Sequence, residues 1–423
     1  MDDWIEAKTG TRDSRSLREY QLEKFRETLR YVKKNSRFYC SHLSDIEPDR
    51  IEDLDDIARI PLTTADMLVE DPLAFVCVPT SDIERIVTLQ TSGTTGTSKR
   101  IFFTKDDQEL TIDFFHHGMS TLVCENDKVM IFLPGETAGS VGDLLRRGLE
   151  RLGCGVVMYG PVKDHKDAAR ALAASGSTCA VGLPVQMFAL SRIEPEIRLK
   201  SILLCSDHVP EAVARALKST WNCEVFEHYG MTETGLGGGV DCSAHDGYHM
   251  READLLFEII DPASGAPCRC GERGELIFTT LTRRGTPLIR YRTGDMSREI
   301  VEPCLCGSAL RRFESVSGRI SDRIDTGGGA GISMPILDEI LFDLPGLTGF
   351  SAELVSEAES DALVITVNIP DGVHAAERVV DRILDDGQLG EALAGAGLRI
   401  EIRQGGAEVL TYGNTKRRIV DKR

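Results

Sequence analysis

Residues 91–100 combine hydroxyl side chains, two glycines and two basic residues in the run Thr91-Ser92-Gly93-Thr94-Thr95-Gly96-Thr97-Ser98-Lys99-Arg100. Glycines let a backbone approach a phosphate closely, amides and hydroxyls donate hydrogen bonds to it, and a lysine adds positive charge. The flanking stretches 83–90 and 101–104 have strand-like compositions, whereas a Walker loop places glycine directly before lysine and a helix after it. The pattern predicts a polyphosphate-binding loop between two strands; the alternative is an ordinary Ser/Thr/Gly hairpin.

Three later stretches carry residues that could complete a nucleotide site. They are His228-Tyr229-Gly230-Met231-Thr232-Glu233, Tyr291-Arg292-Thr293-Gly294-Asp295 and Gly318-Arg319-Ile320-Ser321-Asp322. An aromatic ring can stack on a base, a carboxylate can hold magnesium through oxygen, and a second carboxylate can accept hydrogen bonds from a ribose diol. Taken singly, each stretch could be an ordinary turn, because glycine and aspartate are common there.

Together and in this order, the four stretches resemble the signature motifs of the adenylate-forming enzymes, the acyl-CoA ligase superfamily. The run 279–292 and the sequence Pro303-Cys304-Leu305-Cys306-Gly307 resemble the phenylacetate–CoA ligase branch. The resemblance spans nearly the whole chain from Leu17 onward. It implies an ATP-dependent acid–thiol ligase that forms an acyl-adenylate and then an acyl thioester. It also implies Mg²⁺, a small-molecule carboxylic acid and a thiol acceptor, for which we expect CoA.

The resemblance assigns roles residue by residue. Glu233 is implied to hold magnesium, and Thr94 and Glu233 are implied to act in adenylation. Arg319 would reach the nucleotide from a domain junction, about which a small domain rotates at Asp322. The implied nucleotide contacts are Thr91, Ser92, Gly93, Thr94, Thr95, Gly96, Lys99, Ser206, Asp207, His228, Tyr229, Gly230, Met231, Thr232, Glu233, Asp295 and Arg319.

The third implied catalytic group is a lysine shortly after a glycine near the chain end, where a positive charge stabilises the charge developing on phosphorus. An alignment without gaps puts Asn414 at that position after Gly413, and Lys416 falls two residues later. We assign the role to Lys416. The alternatives are a solvated basic tail and a chain in which the role is weakened or lost.

The cysteines offer a second constellation. Cys242 and His249, with Cys304 and Cys306, supply three thiolates and an imidazole, a donor set typical of a closed structural zinc site. Cys268 and Cys270 could compete for the metal, and ordinary reduced cysteines are the alternative. Four protein ligands leave no open position, so a catalytic zinc is not expected.

Composition limits the class of protein. A net charge of −18 over 423 residues argues against a nucleic-acid-binding surface. There is no signal-peptide pattern at the N-terminus and no apolar run long enough to span a bilayer, so a cytoplasmic location without membrane contact is expected. The twelve cysteines are then reduced thiols or metal ligands. The sequence leaves open whether the chain forms a homodimer.

The hydrophobic pattern predicts an α/β protein. Residues 15–34 have helical periodicity, and between 100 and 230 short apolar strands alternate with helices, which indicates a mainly parallel sheet. Residues 253–300 predict a β-rich subdomain, and the region after Gly318 has helix and strand signals of its own. We predict a large N-terminal adenylation domain over 1–318 and a small mobile C-terminal α/β domain over 319–423.

Two other functions remain open. An adenylyltransferase would place AMP on a non-acyl acceptor, and a nucleotide-binding protein could have lost turnover, as Asn414 would allow. The acyl pocket is expected near 132–142, 206–208 and 235–239, but no residue there identifies the acid. Composition, with 6% aromatic residues, does not favour an aryl acid.

Overall fold

A computed structural model gives the fold and describes residues 2–10, 13–90, 98–316, 318–325, 331–356, 361–369, 375–387, 389–390, 393, 398–405 and 417–423. Its α-helices are α1 (Asp2–Thr9), α2 (Ser14–Asn35), α3 (Arg37–His42), α4 (Ala65–Glu70), α5 (Lys105–Met119), α6 (Val141–Arg151), α7 (His165–Ser175), α8 (Pro184–Ile193), α9 (Glu211–Trp221), α10 (Met334–Leu341) and α11 (Ala375–Asp385).

The strands are β1 (Ile83–Gln90), β2 (Ser98–Thr104), β3 (Lys128–Ile131), β4 (Gly155–Met158), β5 (Cys179–Gly182), β6 (Ser201–Leu204), β7 (Glu224–Tyr229), β8 (Gly239–Val240), β9 (Tyr248–Met250), β10 (Leu255–Ile260), β11 (Gly274–Thr280), β12 (Tyr291–Ser297), β13 (Glu299–Ile300), β14 (Arg312–Phe313), β15 (Ile324–Asp325), β16 (Gly331–Ile332), β17 (Gly349–Ser356), β18 (Asp361–Asn368), β19 (Arg399–Gln404) and β20 (Val420–Asp421).

The chain forms two compact units. The first contains residues 1–125, 135–154 and 228–316, and the second contains 126–134, 155–227 and 317–423. The predicted division at 318 stays a prediction, because residues 317–423 belong to one unit together with two earlier segments of the chain.

The second unit contains the parallel sheet that the alternating pattern predicts. Strands β4, β3, β5, β6 and β7 pair in that order, all parallel. Every residue of β5 and β6 is buried, which explains why these strands are apolar on both faces. The helices α7, α8 and α9 connect successive strands, so the predicted α/β class is confirmed.

The C-terminal part of the second unit contains the four-stranded sheet β19-β18-β17-β20 and the helices α10 and α11. One hydrophobic core joins these elements to the helices of the parallel sheet. Phe342 meets Phe188 edge-on with ring centroids 5.4 Å apart, and Trp221 is fully buried in the same core.

The first unit is rich in antiparallel sheet, as the pattern over 253–300 predicts. β1 and β2 form a hairpin, β10, β11 and β12 form a meander, and β8, β9, β14 and β13 continue from the last two residues of β7. The amphipathic helix α2 buries Phe25, Leu29 and Val32 in the core of this unit. Helix α5 begins with a capping box between Thr104 and Asp107.

Within the described ranges, no helix combines the length and the apolar character needed to cross a membrane.

Candidate functional site

A buried charge cluster lies beside the end of the predicted phosphate loop. Lys99, the second residue of β2, pairs through its ammonium with the carboxylate of Glu233. Glu233 belongs to a single turn of 3-10 helix (Thr232–Thr234) that follows β7. The Tyr291 hydroxyl bridges the pair: it donates to Glu233 Oε1 at 3.2 Å and accepts from Lys99 Nζ at 3.3 Å. The Glu233 side chain is 2% exposed and that of Lys99 is 16% exposed, so this is a largely desolvated ion pair.

The backbone around Glu233 is held by close packing. The Arg283 guanidinium donates to the Glu233 carbonyl and lies over the Phe103 ring, 5.3 Å from its centre. Burial lowers the pKa of Arg283 to about 10, and the group stays charged at neutral pH. Gly230 cannot carry a side chain, because a Cβ would lie 2.5 Å from the Leu236 carbonyl oxygen. The glycine of the Tyr-Gly-Met-Thr-Glu motif therefore lets this turn close on itself.

A second contact joins the predicted adenine and ribose motifs. The Tyr229 hydroxyl donates to Asp295 Oδ2 at 2.9 Å, and both side chains are buried. Tyr229 stacks on Tyr248 with ring centres 6.1 Å apart. Strand β12 carries both Tyr291 and Asp295, and it thereby connects this contact to the charge cluster.

His228 lies on the opposite side of β7 from its neighbour Tyr229. Its ring contacts Phe114 and Phe115 of α5, with centroids 6.1 Å away in each case. Burial lowers the pKa of His228 to about 4, so the imidazole is neutral at physiological pH. His228 therefore offers a neutral ring and no charge for binding a phosphate.

The second unit holds the remaining described candidates. Ser206 has a left-handed φ of +72°, a strained conformation for a non-glycine residue and one that is common at functional sites. The Asp207 carboxylate accepts from the backbone N–H of His208 at 2.9 Å and from that of Arg417 at 3.0 Å. Arg319 precedes a short 3-10 helix (Ile320–Asp322).

The structure thus pairs four predicted residues of the first unit, Lys99 with Glu233 and Tyr229 with Asp295, and Gly230, Met231 and Thr232 lie in the chain between Tyr229 and Glu233. Ser206, Asp207 and Arg319 belong to the second unit. Thr91, Ser92, Gly93, Thr94, Thr95 and Gly96 lie outside the described residues, as do Asn414 and Lys416. Arg417, the neighbour of Lys416, is described and is bonded to Asp207.

The Glu233 carboxylate is a suitable ligand for magnesium. Mg²⁺ is bound by hard oxygen ligands, commonly one or two carboxylates together with substrate phosphates. The Glu233 carboxylate supplies such oxygens, although the ammonium of Lys99, a residue close behind the predicted polyphosphate loop in sequence, is paired with it here.

The predicted zinc ligands converge in the first unit. The ligand atoms of Cys242, His249, Cys304 and Cys306 all lie within 4.8 Å of one another. The Cys242 and Cys304 sulfurs are 3.6 Å apart, and Cys306 Sγ lies 3.3 Å from His249 Nε2. His249 Nδ1 is 3.3 Å from the Leu310 carbonyl, which can only accept, so the ring proton lies on Nδ1 and Nε2 presents its lone pair to the cluster. Cys268 and Cys270 are not members of this group.

Sequence reasoning gave no individual role to three residues around the Lys99–Glu233 pair. Tyr291 bridges Lys99 and Glu233, Arg283 holds the Glu233 backbone, and the Asp107 carboxylate accepts from the N–H groups of the two residues after Arg283, at 2.8 Å each. The capping-box spacing from Thr104 to Asp107 could have revealed the last of these. Local sequence carries no comparable signal for Arg283, because its role depends on partners distant in the chain.

Comparison with known proteins identifies the family of this chain. The profile of the AMP-binding enzyme family matches residues 34–281. The phenylacetate-coenzyme A ligase of Thermus thermophilus is 27% identical over 320 residues, which cover 73% of this chain and 71% of that protein. The enzyme of the same name from Aromatoleum evansii is 26% identical over 381 residues, 84% of this chain and 82% of that protein.

A crystal structure of 2-hydroxyisobutyryl-CoA ligase in the postadenylation state superimposes with a TM-score of 0.82 at 20% identity, and the match covers 99% of this chain and 92% of that one. At that identity the likeness shows a shared fold. The chain belongs to the AMP-binding enzyme family, within the phenylacetate–CoA ligase-like branch of the adenylate-forming superfamily.

Proposed function

We propose that this chain is an ATP-dependent acid–thiol ligase. In the first half-reaction a carboxylate oxygen attacks the α-phosphorus of ATP, the bond to the β-phosphate oxygen breaks, and pyrophosphate leaves. In the second, a thiol attacks the acyl carbon of the adenylate, AMP leaves with the electrons of the broken bond, and the thiol proton goes to solvent. Phenylacetate and CoA are the first acid and acceptor to test, because the relatives are named for them.

The Lys99–Glu233–Tyr291 cluster beside the Tyr229–Asp295 contact is the observation that carries this proposal. We propose that Asp295 receives the ribose hydroxyls, that Tyr229 places the base, and that Lys99 and Glu233 act at the polyphosphate end. Magnesium, when bound, would neutralise phosphate charge. The protein's own contribution is to orient two anionic reactants, which is where most catalysis of phosphoryl chemistry arises.

We propose Lys416 as the cation that meets the substrate carboxylate and the α-phosphate. Its support is the position of its neighbour Arg417, whose amide is tied to Asp207, a predicted nucleotide contact. Activity lost in Lys416→Ala and kept in Asn414→Ala would support this assignment. Full activity in Lys416→Ala would contradict it. We also propose that 319–423 acts as the small domain that rearranges between the half-reactions.

The decisive experiment is pyrophosphate exchange into ATP, driven by a panel of acids: phenylacetate, benzoate, isobutyrate, 2-hydroxyisobutyrate and hexanoate. Carboxylate-dependent exchange that falls by about a hundredfold or more in Glu233→Gln is expected. Lys105→Met is the matched control, since Lys105 is exposed at the start of α5. If no acid supports exchange, the ligase proposal fails and a nucleotide-binding protein without turnover is favoured. If AMP stays in the product, the ligase proposal fails and an adenylyltransferase is favoured.

We propose a structural zinc ion at Cys242, His249, Cys304 and Cys306. Zn–S bonds of about 2.3 Å in a tetrahedron give sulfur separations of about 3.8 Å, and the sulfurs of Cys242 and Cys304 lie 3.6 Å apart. Metal analysis of protein purified without chelator should find about one zinc per chain. Cys304→Ser should lose it, and Cys40→Ser, at an exposed cysteine, should keep it. Metal-free wild-type protein would contradict the proposal.

A further inference from the structure

The Lys99–Glu233 pair poses a physical problem for metal binding. A carboxylate as buried as that of Glu233 is costly to leave charged without a partner. The Lys99 ammonium provides the counter-charge. The same carboxylate oxygens are those that the proposed magnesium ion would use. Two cations therefore compete for one anion.

The Lys99 side chain can move away from Glu233 while its backbone stays in place. Its backbone is fixed in β2, opposite Leu89 of β1, so the residue itself does not move away. Its side chain is a flexible four-carbon stem that carries a compact charge, and it keeps 16% exposure while Glu233 keeps almost none. Lys99 also directly follows the loop predicted to bind polyphosphate, which gives the released ammonium an anion to meet.

Glu233 is held in position by two other residues. The Tyr291 hydroxyl donates to its carboxylate at 3.2 Å, and the Arg283 guanidinium donates to its backbone carbonyl oxygen. The Tyr291 hydroxyl also accepts from Lys99, but it meets Glu233 as the donor, and the Arg283 contact is to the Glu233 backbone, so neither bond to Glu233 requires the ammonium. Departure of the ammonium therefore leaves the carboxylate oriented and keeps one of its hydrogen bonds.

We propose that Lys99 is an exchangeable counter-ion of Glu233: it blocks the metal position until a nucleotide polyphosphate draws the ammonium away, so that divalent cation and nucleotide bind together. This inference rests on the proposed function for the nature of the nucleotide. Lys99 lowers the affinity of the nucleotide-free protein for a divalent cation and raises the affinity for the metal–nucleotide pair. Binding of metal and nucleotide is positively coupled, and the coupling is equal in both directions.

The test measures Mn²⁺ binding to the whole chain by electron paramagnetic resonance, with Mn²⁺ as the probe for Mg²⁺. Without nucleotide, Lys99→Met should bind Mn²⁺ about 10 to 100 times more tightly than wild type, the range expected when a close charge is removed. With α,β-methylene-ATP present, the same variant should bind the metal–nucleotide pair about tenfold more weakly.

Three further variants make the result specific. The double variant Lys99→Met, Glu233→Gln should lose the tightened binding, which locates the metal at Glu233. Lys99→Arg retains a cation and should bind Mn²⁺ as weakly as wild type. Lys105→Met removes an exposed lysine and should change nothing. A thermal melt of each variant confirms folding, and the Lys99→Arg comparison keeps the test usable if Lys99→Met is unstable.

A Mn²⁺ dissociation constant in Lys99→Met within about twofold of wild type would overturn the inference, as would tight binding that persists in the double variant. Failure of the ligase proposal gives a different result. If no acid supports pyrophosphate exchange but Lys99→Met gains Glu233-dependent Mn²⁺ affinity, the counter-ion exchange stands and only the acid–thiol chemistry is removed.

Discussion

Arg417 offers a sharp test of how the second unit is stabilised. Its guanidinium pairs with the Asp338 carboxylate, donates to the Phe350 carbonyl at 2.7 Å and lies over two neighbouring aromatic rings. The ring centres of Phe350 and Phe342 lie 4.4 and 5.1 Å from it. Both charged side chains are 3% exposed. Replacement of Arg417 by methionine would retain much of the packing but leave Asp338 buried without its partner.

The magnitude follows from these contacts. Breaking a buried ion pair by removing one partner costs about 3–5 kcal/mol, because the remaining charge is desolvated and uncompensated. In a unit of this size, each kcal/mol corresponds to about 2–4 °C in melting temperature. Arg417→Met should therefore melt about 10 °C below wild type at pH 8. The double variant Arg417→Met, Asp338→Asn removes the orphaned charge and should recover part of that loss.

The loss should also depend on pH. Burial raises the pKa of Asp338 to about 6 even though Arg417 opposes the shift. An acid whose folded-state pKa is raised favours folding while it is protonated, and that advantage disappears as pH rises from its unfolded value of about 4 through about 6. Without Arg417 the pKa rises further. The Arg417→Met deficit should therefore shrink at pH 5, where the carboxyl takes up a proton.

The assay is thermal unfolding followed by fluorescence at pH 5 and pH 8, with Trp221 as the buried reporter of this unit. Two results would refute the reasoning. One is a melting temperature for Arg417→Met within about 2 °C of wild type at pH 8, which is less than 1 kcal/mol. The other is a melting deficit of equal size at pH 5 and pH 8. A deficit caused by an uncompensated carboxylate must shrink at pH 5, where that carboxylate takes up a proton.

Tyr229→Phe removes the 2.9 Å bond to Asp295. It should raise the KM for ATP in pyrophosphate exchange by about tenfold, the effect of one lost bond to a charged group, and an unchanged KM would separate this contact from nucleotide binding. Burial favours the neutral form of His208, but the Glu339 hydrogen bond and nearby acidic groups outweigh it and raise the His208 pKa. Its stabilisation is therefore complete below about pH 6.5 and is lost as pH rises through the raised value. Glu339→Gln should destabilise the folded state by about 0.5 kcal/mol at pH 5.5, a small effect because Glu339 is partly exposed, and should lower the melting temperature accordingly. At pH 9 the same change should have little effect, and equal melting shifts at both pH values would contradict the prediction.

Much of the fold could be predicted from local sequence. The periodicity over 15–34 corresponds to α2, the alternating region between 100 and 230 contains β5, and the β-rich region 253–300 contains β10. Strand β5 is fully buried, β10 is mostly buried and α2 is amphipathic, so their patterns are clear. Helix α5 was not predicted, although its capping box is visible in the sequence. The β-rich pattern over 253–300 does not show where β12 begins, because the strand starts at Tyr291 after Arg290 adopts a left-handed φ of +45°.

The candidate site could be predicted in parts. The identities of Lys99, Glu233 and Asp295 follow from their motifs, but the ion pair between Lys99 and Glu233 joins residues 134 positions apart. The Arg417–Asp338 pair and the Leu310 carbonyl behind His249 are equally non-local. Contacts of this kind depend on how strands and turns meet in three dimensions, and single-residue chemistry does not specify the partner.

The cysteine–histidine cluster has a consequence for the unfolded chain as well as for the folded one. Its first and third members, Cys242 and Cys304, are separated by 62 positions. The zinc ion proposed above would link them, as a disulfide would, and so close a loop of that length and restrict the conformations available after melting. Chain statistics for a closed loop of this size give roughly 4 kcal/mol. Metal supply could thus determine how long the chain persists, without any ion touching a reacting atom.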